Sequence, residues 1–329
     1  MFSLILVLSL FVAAPATASG TKPGEGVSVQ PIGTGRPDQA MIYEILKTGL
    51  EELGYKVKDL QTASYAVIHV TIGQGDADFT AVHWDGLHQA YYNKSGGDEK
   101  LKRLGPMYTG SLQGYFIDKA TADKHGITKM EQFKDEKIRK LFDSDGDGRA
   151  NLTACNPGWG CEKVINHHLK EYGMENHIQQ DKGQYFALMA NTVARYKEGK
   201  PIFFYAWTPA WMLSTLKPDA DVVWVEVPFT TLPGERASKD TTLANGRNPG
   251  FVSNNNFVLA NLKFAEKNPA AAEFLAQAKI TVADLNAEAH KVFGGEKTEA
   301  DTKKHAEAWI KAHQAQFDAW LAAALKAAK

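Results

Sequence analysis

The chain has 329 residues, of which 37 are Lys or Arg and 38 Asp or Glu, for a net charge of −1. That length points to two lobes rather than one, and the even charge excludes a general nucleic-acid binder or a polybasic membrane-surface protein. Its 44% hydrophobic and 23% charged residues are those of a globular chain, and beyond the N-terminus no run of ~20 apolar residues offers a membrane span.

Residues 2–14 (FSLILVLSLFVAA) are almost wholly apolar and run into Ala16-Thr17-Ala18. This is the pattern of a secretory signal cut after Ala18, although no Lys or Arg precedes the apolar run. Residues 1–18 are therefore expected to be removed, and the chain exported. Residues 38–53 place Met41, Ile42, Ile45, Leu46, Leu50 and Leu53 on one face, with Asp38 to cap the start and Gly54 the end, so a helix is predicted. Residues 55–60 read as a short strand, and 77–83 alternate as another. Residues 63–73 are rich in β-branched side chains but bounded by glycines, and their type stays open. Further strands are predicted at 111–118, 202–206, 222–227 and 257–260, and helices at 184–198, 269–278 and 301–328. Within the last, Trp309, Ile310, His313, Phe317, Trp320 and Leu321 recur at helical spacing and read as packing; the Lys and Glu residues of 286–308 read as a solvated face. Strands alternating with helices predict an α/β fold with its sheets covered on both faces.

The two cysteines, Cys155 and Cys161, are even in number in an exported chain, which predicts one disulfide around Asn156-Pro157-Gly158-Trp159-Gly160. Seven tryptophans are many. Trp309 and Trp320 belong to the terminal helix, Trp224 lies within a strand, and Trp211 reads as packing. Trp84 and Trp207 end strands, and Trp159 sits in the cysteine-bounded loop. In α/β sheets ligands bind at the carboxyl ends of strands, so these three are candidates for a pocket. Converging indole faces suit a quaternary ammonium, whose diffuse charge and methyl shell offer no N–H for a carboxylate to grip. Read from the residues alone, ordinary core packing and a sugar-stacking rim remain open beside that reading.

The run Cys155-Asn156-Pro157-Gly158-Trp159-Gly160-Cys161-Glu162 is distinctive, as are Phe79-Thr80-Ala81-Val82 before Trp84 and Arg195-Tyr196-Lys197-Glu198-Gly199-Lys200-Pro201. With Trp207-Thr208-Pro209, Val223-Trp224 and Glu266-Lys267-Asn268-Pro269-Ala270-Ala271-Ala272, these motifs closely resemble the glycine betaine/proline betaine-binding proteins of bacterial osmoprotectant ABC importers, over roughly residues 25–328. The resemblance implies a type II periplasmic-binding-protein fold: two lobes, each a mixed sheet flanked by helices, joined by two hinge crossovers near Gly114–Asp118 and Asn256–Ala260. Lobe one would hold residues 25–113 and 259–329, and lobe two residues 114–258. It further implies a monomeric, non-catalytic periplasmic receptor that passes its ligand to a membrane permease, with a cage of Trp84, Trp159 and Trp207. The ligand carboxylate would meet the His88 side chain and the backbone N–H groups of Gly160 and Cys161, read as an anion nest in a glycine turn. Asp85-Gly86 stands where the family often carries Thr-Pro, and Asp85 either strengthens cation attraction or caps the next helical turn.

Other features were weighed beside this. Asp143-Ser144-Asp145-Gly146-Asp147-Gly148 opens like a calcium loop, with Asp143, Asp145 and Asp147 as oxygen donors, but Ala154 stands where the bidentate Glu belongs. A structural Ca²⁺ and an Asx-rich surface turn are the two readings. His83 with His88, and His167 with His168, have poor spacing for zinc. Gly33-x-Gly35 is too short for a nucleotide fingerprint. The competing functions are a receptor for choline or carnitine, an enzyme with Cys161 as nucleophile and His167 or His168 as base, and a calcium-dependent or carbohydrate-binding module.

Overall fold

The computed structural model describes residues 22–329; the expected signal segment, residues 1–18, lies outside the described residues. Two main sheets organise the chain. One has three strands, Phe79–Trp84, Asn254–Asn261 and Leu101–Ser111, all antiparallel, with Asn254–Asn261 in the middle. The other has five strands in the order Val222–Val225, Gln113–Asp118, Phe203–Trp207, Ala150–Thr153 and Ile178–Asp181. The first three of these pair antiparallel and the last three parallel, so this sheet is mixed. Two short parallel pairs, Ser28–Val29 with Lys56–Val57 and Ile32–Gly33 with Gln61–Thr62, lie beside the three-stranded sheet, to which Pro31 bridges at Phe79. The chain passes from the smaller sheet to the larger at Leu112 and returns by Asn254–Asn261.

The helix Pro37–Glu52 forms as its apolar spacing requires, burying Met41, Ile42, Ile45, Leu46 and Leu50. Its start is not capped by Asp38: Arg36 is the N-cap residue, without a side-chain cap bond, and Asp38 pairs with the Arg36 guanidinium instead. Gly54 does end it, with φ of +93° that favours glycine. Residues 63–73 resolve as the helix Tyr65–Gln74. Tyr65, Ile68, His69 and Ile72 are buried at helical spacing while Val67 and Val70 face solvent. The 3.6-residue period of the apolar face therefore outweighs the β-branched composition.

The C-terminal prediction of one helix is corrected. The helices Glu299–Ala312 and Gln314–Ala327 break at His313, whose φ of −118° and ψ of 27° leave the helical region. The break lets Trp309 stack on Trp320 with ring centres 5.8 Å apart. In a continuous helix they would stand ~16 Å apart along the axis. Packing of these indoles is thus what rewards the turn. The strand Leu101–Ser111 escaped prediction because Gly105 and Pro106 interrupt its pattern and its pairing slips register against Asn254–Asn261.

Candidate functional site

Trp84 is the last residue of the strand Phe79–Trp84, and Trp207 the last of Phe203–Trp207. Trp159 is the N-cap of the helix Gly160–Glu171, reached through the loop that the Cys155–Cys161 disulfide closes. All three indoles line one hollow, together with His88, Gly160 and Cys161. Every ligand-contact residue expected from the sequence therefore meets in one place.

Each indole is held by its own surroundings. The Asn256 amide, oriented with Nδ2 donating to the Ala81 carbonyl at 2.7 Å, accepts from Trp84 Nε1–H at 3.1 Å and from Tyr108 Oη–H at 3.2 Å. Trp207 packs against Tyr185 at 5.0 Å and Tyr205 at 5.8 Å. Trp159 meets Trp207 edge-on at 5.6 Å and Tyr185 at 5.8 Å. Tyr185 Oη donates to the Tyr205 carbonyl at 2.6 Å, and Tyr205 Oη to Gln113 Oε1 at 2.6 Å, so the ring network is also hydrogen-bonded. Rings so fixed lose little freedom when a guest arrives.

The polar side of the hollow is built from donors. His88 Nδ1 accepts the Trp84 backbone N–H at 3.2 Å. Burial, with neighbouring His69, His83 and Arg236, pushes the His88 imidazole well below its ordinary pKa, so the ring is neutral. A neutral ring that accepts at Nδ1 carries its proton on Nε2, which makes His88 a donor. The N–H groups of Gly160 and Cys161 are not a nest in a glycine turn, as the sequence implied. They are the first positions of a twelve-residue helix. Helix-start N–H groups lack intrahelical partners and carry the positive end of the dipole, which suits a carboxylate as well or better.

Two segments clasp around this hollow. Tyr91 Oη, from the helix Asp85–Lys94, donates to the Gly158 carbonyl at 3.0 Å. A Cβ on Gly160 would stand 3.0 Å from the Leu87 carbonyl oxygen, so glycine there lets the two helices approach. Asp85 does not line the hollow with the indoles. Its Oδ1 accepts from Gly86 N at 2.7 Å and Asn255 N at 3.2 Å, which ties the helix start to the returning strand.

Several residues here had no mark in the sequence. His69 lies in the stretch whose type was open, and with His83 and His88 it completes a buried group whose ring nitrogens come within 4.8 Å of one another. Arg103 Nε–H donates to His83 Nε2 at 3.1 Å, which places the His83 proton on Nδ1, donated to His69 Nε2 at 2.9 Å. His69 Nδ1–H then donates to the Tyr65 carbonyl at 2.6 Å. A metal-bound imidazole keeps its proton on the outer nitrogen and donates it. At His83 the outer nitrogen accepts from Arg103 instead, so His83 and His69 form a hydrogen-bonded chain beside His88. Arg36, Tyr65, Gln113 and Tyr205 also line the hollow.

The Asp143, Asp145 and Asp147 carboxylates do gather within 4.8 Å. Their oxygens are engaged, within the turn for Asp143, which accepts from Gly146 N at 2.7 Å and Gly148 N at 2.9 Å, for Asp145 from Asp147 N at 3.3 Å and for Asp147 from Arg149 N at 2.8 Å, while Asp145 also accepts from Gln179 Nε2 at 2.7 Å on the strand Ile178–Asp181. This is the bonding of an Asx-rich turn. Cys161 is bonded to Cys155, so the thiolate that the enzyme alternative requires is not available. His168 is likewise engaged, accepting from Tyr115 Oη at 2.8 Å and donating to the Thr231 carbonyl at 3.1 Å.

Comparison with known proteins supplies context for this geometry. Residues 27–312 match the family described as the substrate binding domain of ABC-type glycine betaine transport systems. The chain is 45% identical over 324 residues to the glycine betaine-binding periplasmic protein OusX of Dickeya dadantii, covering 98% of each. It is 46% identical over 326 residues to the glycine betaine/proline betaine-binding periplasmic protein of Escherichia coli, covering 97% of this chain and 98% of the other. Among solved structures, lactococcal OpuAC in its closed-liganded conformation with glycine betaine matches with a TM-score of 0.66 at 20% identity, over 90% of this chain and 99% of that one. An ABC-transporter choline binding protein in complex with choline matches with a TM-score of 0.69 at 17% identity, over 92% and 96%. At those identities the structures speak for a shared fold.

Proposed function

Because the chain belongs to the family of substrate-binding domains of ABC-type glycine betaine transport systems, we propose that it captures glycine betaine or proline betaine in the hollow between its two sheets and delivers it to the membrane permease. Lobe one, built on the three-stranded sheet, then takes residues 25–112 and 254–329, and lobe two residues 113–253, so that Asn254–Asn261 falls whole with the sheet whose middle strand it is instead of being divided after residue 258. The receptor works as a monomer in the periplasm, after its signal is cut behind Ala18. Among the described residues no helix is long and apolar enough to cross a membrane.

One observation carries this reading: three indoles and a set of N–H donors line the same small hollow. The methylated ammonium sits among Trp84, Trp159 and Trp207, where each desolvated face contributes ~0.5–2 kcal/mol. The carboxylate takes the His88 Nε2–H and the N–H groups that open the helix Gly160–Glu171. Tyr91 and Gly160 then hold the lobes together, and closure around the guest is what the permease senses.

Titration calorimetry with glycine betaine tests the proposal. Saturable one-site binding is expected, with 3,3-dimethylbutanoate, the anion in which an uncharged tert-butyl group replaces the trimethylammonium, binding at least tenfold more weakly. Absence of heat with glycine betaine and proline betaine alike would overturn it.

A further inference from the structure

The cage already holds a cation of its own. The Arg36 guanidinium carbon lies 5.8 Å from the ring centre of Trp159, 5.1 Å from Phe186 and 5.3 Å from Trp207. It is anchored there, with Nε donating to Asp38 Oδ1 at 3.0 Å and Nη2 to Oδ2. Burial works against its charge, and the Asp38 carboxylate together with Tyr65 and Tyr108 more than offsets that, so the guanidinium stays charged. The pair uses the Nε–Nη2 edge; among the described residues no acceptor meets Nη1.

Gln113 adds an independent observation. It lines the same hollow and is only 1% exposed. Its Oε1 is taken by Tyr205 Oη–H, while its Nε2 has no hydrogen-bond partner among the described residues. A buried donor left without an acceptor is costly. Among the described residues no carboxylate lines this hollow. A cation such as choline meets Arg36 across the shared aromatic faces and brings only a neutral hydroxyl to Gln113, with no charge to offset the guanidinium. A zwitterion brings its own anion to both.

We infer that Arg36 is a specificity-determining residue: a resident cation of the cage that admits a methylated ammonium only when the same guest carries an anionic group. The inference rests on the function proposed above and adds the term that separates carboxylate-bearing betaines from choline.

The test measures dissociation constants for glycine betaine and choline by calorimetry on the full mature chain. Wild-type protein should favour glycine betaine by at least a hundredfold. Arg36→Met and Arg36→Gln should shrink that ratio at least tenfold by tightening choline. Arg36→Lys, which keeps the charge, should leave the ratio within threefold. Two neutral variants, each compared with wild type in thermal midpoint, guard against a folding defect in one. A ratio unchanged in both neutral variants refutes the inference while leaving the function intact, as does equal relaxation in Arg36→Lys. Wild-type protein that binds neither ligand refutes the function and this inference with it.

Discussion

Trp159→Leu removes one wall of the cage while keeping an apolar side chain. Trp159 shares the hollow with Trp84 and Trp207 and is carried on the disulfide-bounded loop, so its loss takes one indole face from the guest. The cation–π part of that face is ~0.5–2 kcal/mol. About 40 Å² of methyl surface losing its apolar contact adds ~1 kcal/mol at ~25 cal/mol per Å². Together these give ~1.5–3 kcal/mol, a fall in affinity of roughly ten- to 150-fold. The assay is calorimetry with glycine betaine and with 3,3-dimethylbutanoate, in parallel. The tert-butyl group of the isostere is uncharged and feels only the apolar loss, so its affinity should fall about fivefold, less than that of glycine betaine. Trp159 also packs on Tyr185 and Phe186, and the thermal midpoint of the variant checks that the loop remains folded. Glycine betaine binding within threefold of wild type, or equal losses for the two ligands, would refute the reasoning.

His88→Phe removes a donor to a charged acceptor, and should weaken glycine betaine by ~1.5–3 kcal/mol while changing choline less than threefold in calorimetry. Because burial keeps the His88 ring neutral across the physiological range, wild-type affinity should be flat between pH ~6 and ~8; a titration step there would contradict the assigned tautomer. Tyr91→Phe loses the bond to the Gly158 carbonyl that spans the cleft, and glycine betaine should dissociate about two- to tenfold faster in stopped-flow tryptophan fluorescence, in line with ~0.5–1.5 kcal/mol. Folding stability should fall in acid. Burial lowers the His69 imidazole to about 4 and that of His168 to about 3. Groups depressed in the folded state contribute stability that is complete above the unfolded value of ~6.5 and is lost as pH falls toward the folded value. Urea midpoints should therefore be level from pH ~8 to ~6.5 and decline from there to ~4, with His69 accounting for on the order of 3 kcal/mol. A level midpoint down to pH ~4.5 would show that these rings are not the buried neutral bases described.

Much of the site was legible because its chemistry sits in short contiguous runs. Trp84 and Trp207 end strands whose alternation is visible, and Cys155 and Cys161 bracket Trp159 within one loop. What escaped was assembled by tertiary structure. Arg36 stands beside a loop of glycines at the start of a helix, and nothing local says that its guanidinium will lie against Trp207 and Phe186. Gln113 begins a strand as any polar residue might, and only the bond from Tyr205 fixes its amide. His69 fell in a segment whose β-branched composition hid the helical burial of Tyr65, Ile68 and Ile72. The same limit governs the fold. The amphipathic helix Pro37–Glu52 is set by its own spacing, whereas the break at His313 is set by contacts between Trp309 and Trp320 that a linear pattern reads as one continuous face.

The most direct measurement is a crystal structure of the protein grown with glycine betaine. The trimethylammonium group should rest against the indole faces of Trp84, Trp159 and Trp207, with the carboxylate accepting from His88 Nε2 and the Gly160 and Cys161 backbone N–H groups. A betaine bound elsewhere, or one whose carboxylate points away from His88 and the start of that helix, would contradict the account.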